Sequence, residues 1–447
     1  MHDGEHELAH NEYLLHGSAS GGSKDARRRK LLCSGVTILA AGAALLCWSR
    51  IPSEGRGITT VSIERAQACS NGFPQNFVWG LGTAAYQIEG GANSTGRQPS
   101  IWDKFSHTPG KVYNGDTGDE ACDHIHLYRE DVRLMHSMGL EHYRFSISWS
   151  RVMSFDQATQ TMVPNERGLR FYGSLLTALE EFGIQPYVTL YHWDLPLSLH
   201  DKIGGWHTPN NQRIVDEFVK YADLCFERFG ARVKFWFTFN EPWSFTVEGY
   251  DSGKSAPGCV PFQAARGRCV HGSVTPYIVG HNVLLSHAAA VQRFRTAYQP
   301  RFGGTISITL NCDFSIAASS SSQDVAAAER ANEFMLGWWL QPLLTGDYPK
   351  VMREFVGERL PRFTPEESRL LVGSIDVLAI NHYSTSMKTN AGPEAPPDAY
   401  AAWAEDQKVS SASRFDCAAS SFPPHIPYFS THPSTGTASL SPTLSHK

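Results

Sequence analysis

Three times along the chain a stretch with helical spacing ends in a glycine and gives way at once to a short apolar run: residues 131–138 with Gly139, 169–182 with Gly183, and 214–229 with Gly230. Phe171, Leu175, Ala178, Leu179 and Phe182 share one face of the second stretch; Ile214, Phe218, Ala222, Cys225 and Phe229 do so in the third. The runs that follow, 142–148, 186–191 and 233–239, are short and β-branched or aromatic, as parallel strands covered by helices are. A beat of about 45 residues of this kind predicts an α/β fold with a parallel sheet and right-handed crossovers, closed or open. Further strands are expected at 77–84, 305–310 and 375–380, with helices at 282–297 and 324–340 between the later ones. That makes six strands, and no convincing strand pattern follows Tyr383.

The rest of the chain divides by composition. Residues 1–30 are polar and end in Arg27-Arg28-Arg29-Lys30; residues 31–48 carry no charge. This is barely spanning length. The basic block on its N-terminal side predicts a type II signal anchor, with a cytosolic tail at 1–30, a linker at 49–69, and a lumenal or extracellular remainder. A cleaved signal peptide, and hence secretion, is the alternative. From Ser410 onward half of 38 residues are Ser, Pro or Thr, so 409–447 is expected as a disordered tail, either a mucin-type stalk or a product of a shifted reading frame.

With 41% apolar residues in 447 there is material for one large core, here placed at 70–408. A net charge of -5 and a pI near 6.4 give no footprint for nucleic acid, which leaves small molecules as partners. His124 and His126 lie beside Asp119 and Asp123, but no structural-zinc cysteine pair and no His-Glu-x-x-His helix accompanies them. No glycine-rich phosphate loop or serine elbow is found, so neither metal nor cofactor is expected. Cys259 and Cys269 bracket a short loop and read as a disulfide in an oxidising compartment or as two thiols. Asn93-Ser94-Thr95 is a glycosylation sequon.

Chemistry concentrates at strand ends. The run Phe235-Trp236-Phe237-Thr238-Phe239 closes in Asn240-Glu241-Pro242, and a Glu in a poorly hydrated aromatic pocket at a strand tip has the makings of a general acid. Gln87, Arg144, His192 with Trp193, and Asn381 with Tyr383 stand at the ends of other strands. Amides, imidazole and aromatic faces in a ring suit the hydroxyls and C–H surfaces of a sugar.

These strings together resemble glycoside hydrolase family 1, the β-glucosidase clan. The likeness rests on Phe73-Pro74, Phe77-Val78-Trp79-Gly80, Ala84-Ala85-Tyr86-Gln87-Ile88-Glu89-Gly90, Pro99-Ser100-Ile101-Trp102-Asp103, Asp116-Thr117-Gly118-Asp119 and Ala121-Cys122-Asp123-His124. Tyr143-Arg144-Phe145-Ser146-Ile147-Ser148-Trp149, Leu190-Tyr191-His192-Trp193-Asp194-Leu195-Pro196 and Thr238-Phe239-Asn240-Glu241-Pro242-Trp243 continue it in order. The resemblance implies a (β/α)8 TIM barrel, incomplete here at about six of eight strand-helix units, and a retaining mechanism with two glutamates. It implies Glu241 as acid/base, Gln87, His192 and Asn240 on the sugar hydroxyls, and Arg144 and Tyr383 around the nucleophile. Glu241 stands where the thioglucosidase branch has glutamine, which favours O-linked β-glucosides. The departure is the family's Thr-Glu-Asn-Gly string with the nucleophile, which this sequence lacks along with the eighth strand. A six-stranded arc leaves two unpaired edges. The chain is therefore expected to be a truncated or mis-assembled β-glucosidase-type hydrolase whose activity is open without the nucleophile, with a non-catalytic glycoside-binding relic or a non-functional fragment as alternatives.

Overall fold

The six expected apolar runs become the six strands of one parallel sheet: β1 (Gly80–Gly82), β2 (His142–Ser146), β3 (Gln185–Tyr191), β4 (Phe235–Asn240), β5 (Thr305–Asn311) and β6 (Ala379–Asn381), hydrogen-bonded in chain order. The structure, a computed structural model, describes Phe73 and residues 76–259, 272–390 and 402–412. Among these no ladder joins β6 back to β1, so the sheet is an arc of an incomplete TIM barrel. Its helices lie outside: α1 (His124–Ser137), α2 (Glu166–Glu181), α3 (Asn211–Phe229) and α4 (Pro242–Tyr250). The stripes read from sequence are buried in α2 (Phe171, Leu175, Ala178 and Leu179, with Phe182 half-buried) and in α3 (Ile214, Phe218, Ala222, Cys225 and Phe229). Burying each large side chain of this kind contributes about 1.5–3 kcal/mol, which fixes helix against sheet.

The glycines that end the helices do two different jobs. Gly139 and Gly183 take left-handed backbone (φ 74 and 67), where a side chain would be strained. Gly230 stays helical; a Cβ there would lie 2.5 Å from the Phe226 carbonyl and 2.6 Å from the Phe302 ring, so it is glycine for close approach.

Three expectations are corrected. The strand expected at 375–380 begins only at Ala379; before it one backbone bond, from the Asp376 N–H to the Ile306 carbonyl (3.1 Å), is joined by side-chain bonds, Asp376 Oδ2 accepting the Ile306 N–H (2.8 Å) and Ser307 Oγ donating to the Val377 carbonyl. Strands do follow Tyr383: Thr385–Asn390 pairs with Phe314–Ala317 and Val409–Ser411 in an outer three-stranded sheet, so the tail expected from 409 is paired at its first residues. With one apolar residue in six, Thr385–Asn390 has no alternation to reveal it. The type II membrane assignment is withdrawn, since no helix among the described residues is long and apolar enough to cross a membrane. The expected anchor at 31–48, like 1–30, 49–69 and 413–447, lies outside the described residues.

Candidate active site

The mouth of the arc is shaped by a defect in β4. Phe235 and Phe237 stack on Tyr187 of β3, at 4.2 and 6.3 Å, on the barrel's inner side, while Trp236 meets Phe226 of α3 outside. Alternation would then send Asn240 outward. Instead Phe237 pairs with Ser307 and Asn240 with Thr309, three residues of β4 spanning two of β5, and this bulge turns Phe239 onto Phe218 of α3 and Asn240 into the mouth. Glu241 follows in left-handed backbone (φ 48, ψ 63), its N–H held by the Thr309 carbonyl (2.9 Å), and Pro242 starts α4. Trp193, at the tip of β3, is likewise left-handed (φ 76). A non-glycine residue in that region costs about 1–3 kcal/mol. Trp193 and Glu241 are two of eight non-glycine residues with positive φ among the described residues, and these two stand at the mouth.

Glu241 is 4% exposed and three donors converge on it. Asn381 Nδ2 (2.6 Å) and the Tyr383 hydroxyl (2.5 Å) reach Oε1, and Ser244 Oγ (3.0 Å) reaches Oε2. Asn311 Nδ2 donates to Ser244 Oγ (2.9 Å), which directs the serine proton toward Glu241. Beside it, Asn240 Oδ1 accepts from Arg144 Nη2 (2.7 Å) and Asn381 Nδ2 (3.2 Å). Its Nδ2 therefore faces His192 Nε2 (3.2 Å), which must be the lone-pair nitrogen, leaving the imidazole proton on Nδ1. Trp193 Nε1 donates to the Asn240 carbonyl (2.9 Å).

Charge at the site is set by burial. Burial, then Arg144, lowers His192 to about 3, so it is neutral and serves as donor and acceptor. Burial also lowers Arg144 to about 10, opposed by Glu241 and Tyr383, so the guanidinium remains a cation at neutral pH. Although Tyr383 is 72% exposed, its hydroxyl is turned in, and burial followed by Glu241 pushes it upward.

Of the residues expected from sequence, Glu241, Asn240, Arg144, His192, Trp193, Asn381 and Tyr383 are brought into one network. Gln87 is exposed on the short helix Ala85–Ile88 and no hydrogen bond joins its side chain to the others. His124 and His126 pair with Asp131 and Asp123 (both 2.6 Å), and among the described residues no His, Cys, Asp and Glu group is placed to hold a metal. Cys259 is disulfide-bonded; Cys269 lies outside the described residues. Asn93 is exposed in a turn, with the Thr95 hydroxyl of its sequon taken by Arg151 (2.9 Å). Sequence reasoning missed Ser244, Thr309 and Asn311. The rule that found the other strand tips would have reached Thr309 and Asn311 at the polar end of β5, had it been applied there.

Fold and site define a class, a parallel α/β barrel with a buried carboxyl, amides and a neutral imidazole at the C-terminal mouth of its strands. The chain belongs to glycosyl hydrolase family 1, whose model matches residues 69–424. Over 319 residues it is 47% identical to beta-glucosidase 40 of Arabidopsis thaliana, covering 71% of this chain and 61% of that protein. Raucaffricine-O-beta-D-glucosidase of Rauvolfia serpentina is 45% identical over 339 residues, 71% of this chain and 62% of its own. The chain thus spans about three fifths of the length of these curated relatives. A rice beta-glucosidase crystal structure superposes with a TM-score of 0.70 at 42% identity, covering 76% of this chain and 70% of that one. The Humicola insolens beta-glucosidase in complex with glucose gives 0.70 at 38% identity, covering 76% and 69%.

Proposed function

We propose that this barrel carries a β-glucosidase-type site for O-glycosides, with Glu241 as the acid/base of a retaining mechanism. The observation that carries the reading is the bulge in β4, which brings Asn240 and Glu241 to the mouth together with the neutral His192. Glu241 protonates the departing glycosidic oxygen and later takes a proton from water. Asn240, His192, Trp193, Asn381 and Gln87 receive the sugar, the amides and imidazole on its hydroxyls and the indole against a ring face. Arg144 and Tyr383 flank the place of the nucleophile, and Cys269 is the partner we assign to Cys259. Relatives named as beta-glucosidases support the sugar class.

Retention requires a second carboxyl about 5–5.5 Å from the first. Among the described residues Glu241 is the one carboxylate hydrogen-bonded into the Arg144 network. Turnover by this chain therefore depends on a carboxylate that these residues do not supply. That observation favours a second reading, in which the site grips a glycoside without cleaving it.

Aryl β-glucoside hydrolysis by the chain and by Glu241→Gln separates the two. Catalysis by Glu241 predicts a rate about 10²–10⁴-fold lower in the variant. Equal rates in both would remove Glu241 from the mechanism, and saturable glycoside binding with no product would select the second reading.

A further inference from the structure

The buried carboxyls of this arc are answered by donors, with one exception. Glu89 accepts from Arg151 (2.8 Å) and the Tyr172 hydroxyl (2.5 Å), and Asp103 from both terminal nitrogens of Arg97 (3.1 and 2.8 Å). Asp251 takes the N–H groups of Ala402 (2.8 Å) and Trp403 (2.9 Å), Glu217 the Thr161 hydroxyl (2.7 Å), and Asp406 the Arg359 guanidinium. Among the described residues Asp194 alone is left over: it is 1% exposed, and neither carboxyl oxygen has a hydrogen-bond partner. Donors stand close but are committed. Arg97 is held by Asp103, and the Ser148 hydroxyl lies against Ser150 Oγ (3.3 Å), near enough to favour a charged Asp194 but out of bonding geometry. Glu89, Tyr191 of β3 and Tyr221 of α3 also face it and supply no cation.

A carboxylate without a donor bears its full desolvation cost, so this position favours the neutral acid. Burial raises Asp194 to about 7, opposed by Arg97 and reinforced by Glu89. Its place in the chain gives that proton a consequence, because Asp194 follows His192 and Trp193 in the turn after β3. Trp193 has left-handed backbone (φ 76), which persists only where the surroundings enforce it. Before Asp194 the turn is tied by the Trp193 indole N–H to the Asn240 carbonyl (2.9 Å). Beyond it the Leu195 carbonyl accepts the Ile101 N–H (2.8 Å), and the Leu197 N–H donates to the Pro99 carbonyl (2.9 Å). Between these two anchors the turn is seated on the Asp194 side chain.

We propose that Asp194 is a positioning residue that works as the uncharged acid: buried beneath the turn, it holds His192 and Trp193 at the mouth, and release of its proton to solvent loosens them. The carboxylate so formed is drawn toward water, away from its seat, and the strained backbone of Trp193 loses the support on that side. The inference rests on the glycosidase reading only for the use made of His192 and Trp193. The set of the turn is read without substrate, so a turn that ignores pH would leave the role of Glu241 intact, and absence of hydrolysis would leave the response of the turn intact.

The test follows the tryptophan indole N–H signals of the whole chain by NMR across the neutral range, with the Trp193 signal assigned by its loss in Trp193→Phe. In the parent that signal should move with a midpoint near pH 7, and in Asp194→Asn, which is uncharged throughout, it should not move. Hydrogen exchange in the parent supplies a second reading that holds even if Asp194→Asn does not fold. A proton held up to about pH 7 in the seated turn and released near pH ~4 once the turn opens makes opening about tenfold more frequent at pH ~8 than at pH ~6. The Trp193 indole N–H should show that change and exchange faster than the Trp236 indole, which is 1% exposed and opens with the whole fold. The proposal is overturned if the Trp193 signal stays still through pH 7, if it moves alike in Asp194→Asn, or if Trp193 exchanges no faster than Trp236.

Discussion

The middle and the ends of the arc follow different rules. Strands β3 and β4 have a neighbour on each side; Val188, Leu190, Tyr191, Trp236 and Phe239 are at most 1% exposed. Beside β1, Phe73, Phe77, Val78 and Trp79 are exposed, and beside β6 so are Val372, Val377 and Ile380. The chain is as apolar at its edges as at its centre, but only the centre has something to pack against. Aromatic content therefore marks where barrel wall belongs, and neighbouring strands decide whether it becomes core.

Substitutions that sharpen this contrast differ greatly in size. Trp236→Ala, which empties a space between β4 and Phe226, should cost about 3–5 kcal/mol in urea unfolding, against less than about 1 kcal/mol for Ile380→Ala. An equal cost at both positions would mean that β6 is covered as β4 is.

Next comes Arg151→Met. It strands Glu89, which is 4% exposed and also accepts the Tyr172 hydroxyl (2.5 Å), and should cost about 3 kcal/mol or more. A smaller loss would show that water reaches Glu89 from the open side.

A pH test is subtler. Burial raises Asp194 to about 7, with Arg97 opposing, whereas the unfolded chain gives up that proton near pH ~4. More protons are bound in the folded state between those values, so this group's contribution is full below about pH 4 and is lost as pH rises through 7. Relative to the parent, Asp194→Asn should therefore gain stability from about pH 4 to pH 8, measured by thermal unfolding; a constant difference would place Asp194 in contact with solvent.

The smallest effect on stability is expected from Ile380→Lys. It should leave unfolding within about 0.5 kcal/mol and lower self-association by light scattering, because a charge on an edge strand blocks edge-to-edge pairing.

The sequence pattern was a good guide wherever local periodicity and tertiary burial agree. All six sheet strands and the helix faces of α2 and α3 were legible for that reason. The incomplete barrel was legible too, because the family's Thr-Glu-Asn-Gly string and eighth strand are absent from the sequence. The bulge in β4 was not, since Phe-Trp-Phe-Thr-Phe reads as uniform core and the break in alternation comes from pairing with β5. Thr385–Asn390 was missed because its order comes from the ladder to Phe314–Ala317 rather than from its own residues. At the site, Glu241 and Asn240 were legible from their place at the end of an apolar run. Ser244 and Asn311 became visible only through their bonds to Glu241 and to each other.

Arg144 reaches from β2 to Thr189 on β3, Asn240 on β4 and Thr309 on β5. One side chain thus pins four consecutive staves at their upper rim. None of the four can slip by a residue without tearing at least one of these bonds, so the curvature of the rim is gauged from within, on the side where the cask is already built.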